Sequence, residues 1–141
     1  MSYSEFLSVI AIIISIIAIV KSSIASKIAN DLSKGQGEIQ IRELISSSRR
    51  HFADIATHLP AKKSIIKKLM ASAHEDILNA YDEACAKYID GKIDKKRFKK
   101  MYKDEIKNIV EAEETSDNYI EPQSKYQATL KVYNEWNNLE K

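Results

Sequence analysis

The chain has 141 residues, a net charge of +2, three Gly, two Pro and one Cys. The scarcity of Gly and Pro, together with abundant Ala, Lys, Glu, Leu and Ile, favours an all-α fold. The single Cys85 excludes an internal disulfide and fits a reducing compartment; it lies on an apolar helical stripe, which predicts inert packing.

The N-terminal part of the chain contains fifteen residues without a charged side chain, seven of them Ile, from Phe6 to Val20. As a helix this run would be roughly 22 Å long, short of the roughly 30 Å hydrocarbon core of a bilayer. The span becomes long enough if Tyr3 lies in the interface and Lys21 extends its ammonium to the headgroups. The sequence therefore predicts a transmembrane anchor and stalk over residues 1–32.

Charges on the two sides of this run predict its orientation. Glu5 precedes the run, and six Lys and Arg follow it by position 50. Because positive residues stay on the cytoplasmic side, we expect a signal anchor in the cell inner (plasma) membrane, with the N-terminus outside. Two alternatives stay open: a secretory signal peptide cleaved near Ser23-Ile24-Ala25, and a buried helix of a soluble protein.

Small residues recur within the run at steps of three and four. In lipid, helices associate through small residues that allow close backbone approach and through hydroxyls that bond across the gap. A mean step of 3.5 also predicts a left-handed supercoil. We therefore predict a homo-oligomer, with a serine-lined conducting path as a further hypothesis; the alternative is that small residues are merely tolerated among many Ile. The predicted oligomerisation seam consists of Ser8, Ala11, Ser15, Ala18, Ser22 and Ala25.

Charge is distributed unevenly along the rest of the chain. Lys21 to Met70 carries ten basic and four acidic residues, whereas Glu111 to Lys141 carries three basic and seven acidic ones. The positive half is the one next to the predicted anchor, which suggests attraction to anionic inner-leaflet lipid. A nucleic-acid surface is the competing and less favoured explanation.

Helical periodicity continues after the anchor. The glycines within Ser33–Gly37 predict an interruption of the helix and a hinge. A loop is predicted at Thr115–Asn118, and Asp94 is a candidate N-cap. Short connections favour a four-helix, antiparallel cytoplasmic bundle over residues 38–141. Its helices are predicted at 38–59, 60–89, 94–114 and from about Pro122 onward.

The predicted inner faces of these helices follow from their apolar positions. The C-terminal part of the chain carries an aromatic stripe that we interpret as core, formed by Tyr119, Tyr126, Tyr133 and Trp136. The inner-face positions include Ile41, Ile45, Phe52, Leu69, Tyr81, Tyr88, Phe98, Met101, Tyr102, Ile106, Tyr119, Tyr126, Tyr133 and Trp136.

Two possible metal sites fail on their ligands. The segment Asp90–Asp94 looks like half of an EF-hand loop, but with Gly91 at the sixth position the twelfth falls on Arg97 instead of a bidentate Glu. We therefore predict a simple corner between two helices. His51 and His58 share a helix side without a further ligand, and His74 completes no set. We expect no metal and no cofactor.

The all-α pattern resembles HEPN-type ribonucleases in fold class. Their signature is an Arg and a His with four to six residues between them. Here seven residues separate Arg50 from His58 and eight separate Arg49 from His58, so the signature is not met. A degenerate HEPN-like bundle is thus a lesser alternative.

A basic run follows the predicted corner. It alternates Lys and Arg with apolar residues at helical spacing, so we expect either a solvated outer face or a contact with anionic lipid or an acidic partner. The residues assigned to that contact are Lys95, Lys96, Lys99, Lys100 and Lys103.

The sequence has no Gly-rich phosphate loop, nucleophile elbow or Ser-His-Asp arrangement, and we expect no enzymatic activity. We expect a single-pass scaffold or regulatory protein that self-associates or recruits an unknown protein partner. The alternative is an oligomeric pore-forming effector; small anchored bundles resemble, in outline, accessory proteins of bacterial antiphage systems. Lys outnumbers Arg eighteen to four, which favours an AT-rich bacterial or phage genome.

Overall fold

The structure, a computed structural model, describes residues 3–57, 63–120 and 123–138. All regular structure in these ranges is helical and none is strand, which confirms the all-α prediction. The elements are α1 (Tyr3–Thr57), α2 (Lys63–Ile89), α3 (Lys95–Glu111), a 3₁₀ turn (Ser116–Tyr119) and α4 (Gln127–Asn138).

The predicted interruption of the helix at Ser33–Gly37 is wrong, because α1 is helical through both glycines. Each Gly costs only about 1 kcal/mol relative to Ala in a helix, and tertiary contacts offset such a cost. Gly37 makes such a contact: a β-carbon there would lie 3.1 Å from the Lys92 carbonyl oxygen. Bending of α1 at this segment stays a prediction.

The chain divides into two compact units, Met1–Lys34 and Gly35–Lys141. The first consists of the apolar N-terminal part of α1. The second has its own hydrophobic core, to which all four α-helices contribute. Its members include Ile41 and Ile45 of α1, Tyr81, Cys85 and Tyr88 of α2, Phe98, Tyr102 and Ile106 of α3, and Leu130, Val132 and Trp136 of α4.

Aromatic rings fill the centre of this core. Trp136 packs edge-on against Tyr88, with ring centroids 5.4 Å apart, and Phe98 lies 4.9 Å from Tyr102. The indole Nε1 of Trp136 donates a hydrogen bond to the Tyr88 hydroxyl, which in turn donates to Glu135. The predicted aromatic stripe is thus core at Tyr119, Tyr126 and Trp136, whereas Tyr133 is half-buried.

The corner between α2 and α3 follows its local sequence. Gly91 has φ +68°, a left-handed conformation that Gly adopts without steric cost. Asp94 then caps α3, because its Oδ1 accepts a hydrogen bond from the Arg97 amide at 2.9 Å. The predicted corner and N-cap are confirmed.

The start of α4 was predicted near Pro122, which lies outside the described residues, but the helix begins at Gln127. A carboxylate from another helix marks this start: Asp82 Oδ1 of α2 accepts hydrogen bonds from the Thr129 amide at 2.9 Å and its hydroxyl at 3.1 Å. The loop predicted at Thr115–Asn118 is instead largely the 3₁₀ turn.

Two predicted inner-face residues are exposed. Leu69 is 40% exposed and Met101 is 44% exposed. Both lie at the edge of an apolar stripe, where helical periodicity does not determine whether a neighbouring helix reaches far enough to cover the side chain.

Candidate functional site

The first unit exposes the apolar side chains that the sequence assigned to a membrane span. The large apolar residues described from Leu7 to Leu32 range from 36% exposure at Ile10 to 69% at Ile19. By length and composition α1 could cross a membrane, and none of the 18-residue apolar window that meets this criterion is buried. A helix that is apolar on all sides belongs either in a protein core or in a membrane, and here no described residue covers it.

The six seam residues are all exposed in the single chain. The Ser15 hydroxyl donates to the Ala11 carbonyl oxygen at 2.8 Å, one turn earlier in the same helix. Its proton therefore needs no acceptor from elsewhere, while the hydroxyl oxygen can still accept a hydrogen bond. Association through the seam stays a prediction.

The basic run at the start of α3 has two kinds of lysine. The Lys95 ammonium lies 4.8 Å from the Tyr88 ring centroid, and that of Lys99 lies 5.7 Å from the Trp136 centroid. These two side chains cover the edge of the aromatic core and gain a cation–π attraction. Lys95, Lys96 and Lys100 are exposed, and Lys99 and Lys103 are half-buried. Contact of this run with lipid or an acidic partner stays a prediction.

Ion pairs join α1 to α3 along one side of the core. Arg97 Nη1 lies 3.2 Å from Glu38 Oε2, and Arg49 Nη2 lies 3.1 Å from Glu105 Oε2. The two pairs are in the same order along both helices, so α1 and α3 run in the same direction here. Such partly exposed pairs contribute little stability individually but fix the alignment of the helices.

Tyr81 connects the second ion pair to the core. Its ring is fully buried, while its hydroxyl accepts from Arg49 and donates to Glu105, both at 2.5 Å. Burial and the hydrogen bond to Glu105 raise the pKa of Tyr81. Burial alone would lower the pKa of Arg49, but its interactions with Tyr81 and Glu105 raise it. The periodicity predicted that Tyr81 faces inward but could not predict these partners.

An open cleft of about 400 Å³ lies between α1 and α2. It was not predicted, although its walls follow the helical spacing of i, i+3, i+4 and i+7 on both helices. The Ser47 hydroxyl donates to the Leu44 carbonyl oxygen at 2.9 Å. His51 Nδ1 lies 3.8 Å from Asp76 Oδ2, too far for a hydrogen bond. Among the residues that line the cleft, His51 and Asp76 are therefore not held as a hydrogen-bonded pair, and the Ser47 hydroxyl donates to its own helix. Its lining consists of Leu44, Ser47, Ser48, His51, Asp76, Asn79, Ala80 and Glu83.

The histidines and Cys85 do not come together. His58 lies outside the described residues, and His74 packs near Phe52 with centroids 6.4 Å apart. Within residues 3–57, 63–120 and 123–138 no three His, Cys, Asp or Glu side chains are grouped as metal ligands. Cys85 is fully buried, and burial raises the pKa of its thiol to about 12. The expected absence of a metal and a cofactor stays a prediction.

Comparison with known proteins gives no relative. No protein-family model, curated protein or solved structure matches the chain.

Proposed function

We propose that this chain is a single-pass membrane protein that holds a helical bundle at the cytoplasmic face of the plasma membrane, where the bundle acts as a scaffold or regulator. It self-associates through its span or recruits a protein partner, without chemistry of its own.

The observation that carries the proposal is the contrast between the two units. In the first, the large apolar side chains described are exposed, whereas the second buries its own in a core centred on Tyr88, Phe98 and Trp136. A folded helical unit is thus joined to a helix whose apolar surface no other described residue covers. Lipid would provide that cover.

Membrane extraction of the full chain tests the proposal. The wild-type protein should remain in the membrane pellet after washing with alkaline carbonate. Arg at the centre of a span costs about 2.5–3.5 kcal/mol, so Ile13→Arg with Ile16→Arg should release the chain. Ile13→Leu with Ile16→Leu is the matched control and should stay in the pellet. A soluble wild-type chain would refute the anchor, and an N-terminally shortened mature protein would indicate a cleaved signal peptide.

A pore-forming oligomer is the second candidate. It is favoured by the spacing of the seam residues, with Ser8, Ser15 and Ser22 at steps of seven. All six are exposed, as are their described neighbours. Hydroxyls repeated at that step would line one side of a helix in a supercoiled assembly. The pore hypothesis adds one requirement to the scaffold hypothesis, namely ion permeability that depends on the seam.

A further inference from the structure

One end of the second unit is defined by contacts between the start of its α1 segment and the α2–α3 corner. Gly37 lies against the Lys92 carbonyl, and Glu38 accepts a hydrogen bond from the Asp94 amide at 3.4 Å. Glu38 also pairs with Arg97 at the start of α3. The corner, the first turn of α3 and the beginning of this α1 segment therefore lie at one end, which we call the Gly37 end.

The Gly37 end is strongly basic. From Lys87 to Lys100 the chain carries seven Lys or Arg and two Asp. Lys95 and Lys99 lie over aromatic rings, and Arg97 is paired with Glu38. Lys92, Lys96 and Lys100 are exposed, and of these Lys92 lies 3.3 Å from Asp90.

The opposite end of α3 has the reverse charge. From Glu111 to Asp117 the chain carries four acidic residues and no basic one. Because α3 runs alongside α1 in the same direction, its basic end is the one at which α1 joins the first unit through the Lys34–Gly35 bond. The charges of α3 are therefore separated along the direction of α1.

We propose that the Gly37 end is a contact surface for an anionic lipid bilayer, formed by Lys92, Lys96 and Lys100. This inference rests on the proposed function, because the anchor is what keeps lipid headgroups at a high effective concentration near these lysines.

The chemistry of the surface favours lipid over a structured phosphate ligand. The three residues of the proposed surface are all Lys, which carries a point charge on a flexible stem, whereas bidentate recognition of phosphate or nucleic acid uses Arg. The Arg at this end, Arg97, is already paired with Glu38. Attraction between a fluid anionic surface and Lys side chains needs no fixed geometry and amounts to roughly a fivefold gain in binding for each basic group near the surface.

The test uses the full chain reconstituted in vesicles of phosphatidylcholine, with or without phosphatidylglycerol. The rate at which an amine-reactive reagent modifies each lysine is read by mass spectrometry. Labelling of Lys92, Lys96 and Lys100 should fall several-fold in the anionic vesicles and recover in high salt, which screens exposed charges. Lys67, Lys107 and Lys131 are also exposed and should react at similar rates in both vesicles.

Charge-matched variants strengthen the test. In anionic vesicles, replacing Lys92, Lys96 and Lys100 by Glu should abolish the salt-sensitive protection of backbone amides from hydrogen exchange across residues 90–100. The control, with Glu at Lys67, Lys107 and Lys131, should retain it.

Three outcomes overturn the inference. Equal labelling in neutral and anionic vesicles would show that lipid charge is irrelevant. Protection in neutral vesicles that grows with the protein-to-lipid ratio would show that a second copy covers the surface. Failure of the chain to float with any vesicle would refute the anchor itself and this inference with it, whereas flotation without protection refutes only the contact surface.

Discussion

Gly37 in α1 lies so close to the Lys92 carbonyl in the α2–α3 corner that a side chain at position 37 would require the neighbouring atoms to shift. A β-carbon at position 37 would lie 3.1 Å from the Lys92 carbonyl and 3.3 Å from Cγ2 of Ile93. Gly35, two residues earlier, has no such neighbour within 4 Å. The two glycines of one short segment therefore have different physical roles.

Alanine at these two positions should have different effects on stability. Gly35→Ala should stabilise the fold by up to about 1 kcal/mol, because Ala is a better helix former and its methyl group meets open space. In Gly37→Ala the same gain is offset by the contact with Lys92, so this variant should be the less stable of the two. Thermal unfolding followed by circular dichroism in mild detergent measures the difference. Equal stabilisation by both substitutions would contradict the close packing at Gly37.

Asp82 should be a stabilising residue although it is acidic and only half-buried. Its carboxylate accepts two hydrogen bonds from Thr129 at the start of α4, so Asp82→Ala should reduce the free energy of unfolding by about 1–2 kcal/mol. The neighbouring Glu83 forms a partly exposed ion pair with Lys87, so Glu83→Ala should change stability by less than about 0.5 kcal/mol. A similar loss for both variants would show that Asp82 acts only through its charge.

Alkaline pH should destabilise the second unit, in part through Cys85. Burial raises the pKa of the thiol from its ordinary 9.0 to about 12. A group whose pKa is higher in the folded state contributes stability that is present below pH 9 and lost as pH rises towards 12. Unfolding curves at a series of alkaline pH values should therefore fall less steeply for Cys85→Ala than for the wild type. Tyr81 and Tyr119, whose pKa values burial also raises, contribute to the slope that remains.

Bulky substitutions on the seam should separate anchoring from assembly. Ser15→Leu and Ala18→Leu add side-chain volume where helices would approach, so light scattering in mild detergent should show a monomer instead of a defined multimer. Ile12→Leu and Ile16→Leu change residues outside the seam without adding side-chain volume, so they should leave the mass of the assembly unchanged. A monomeric wild type would refute the seam, and ion permeability that persists in the seam variants would refute the pore.

Local patterns in the sequence predicted much of the second unit. Periodicity placed Ile41, Tyr88 and Phe98 in the core, and Asp94 at the start of α3 was recognised from capping chemistry alone. These features depend on residues close together in the chain. The start of α4 depends on Asp82, 47 residues before Thr129, and no local pattern contains that relationship.

The errors have the same origin. Gly35 and Gly37 predicted a break in the helix because Gly has a low helix propensity. The contact between Gly37 and Lys92 could not be predicted in this way, because Lys92 is distant in the sequence. For the basic run, the sequence left a solvated outer face and a contact with lipid or an acidic partner both open, and no local pattern showed that Lys95 and Lys99 lie over rings of α2 and α4. The cleft and the hydrogen bonds of Tyr81 also join separate helices. Sequence patterns thus predicted which residues are buried more successfully than they predicted which residues contact each other.

The position of Trp136 in the core has a consequence for biosynthesis. The apolar start of α1 leaves the ribosome long before Trp136 is translated, so the chain would enter the membrane while its second unit is still incomplete. α4 has only 12 residues, too few for a stable helix in isolation. Until α4 packs against the other helices, Tyr88 and Phe98 lack their contacts with Trp136 and expose apolar surface that chaperones can bind. A chain truncated before Trp136 should therefore be unusually sensitive to proteases.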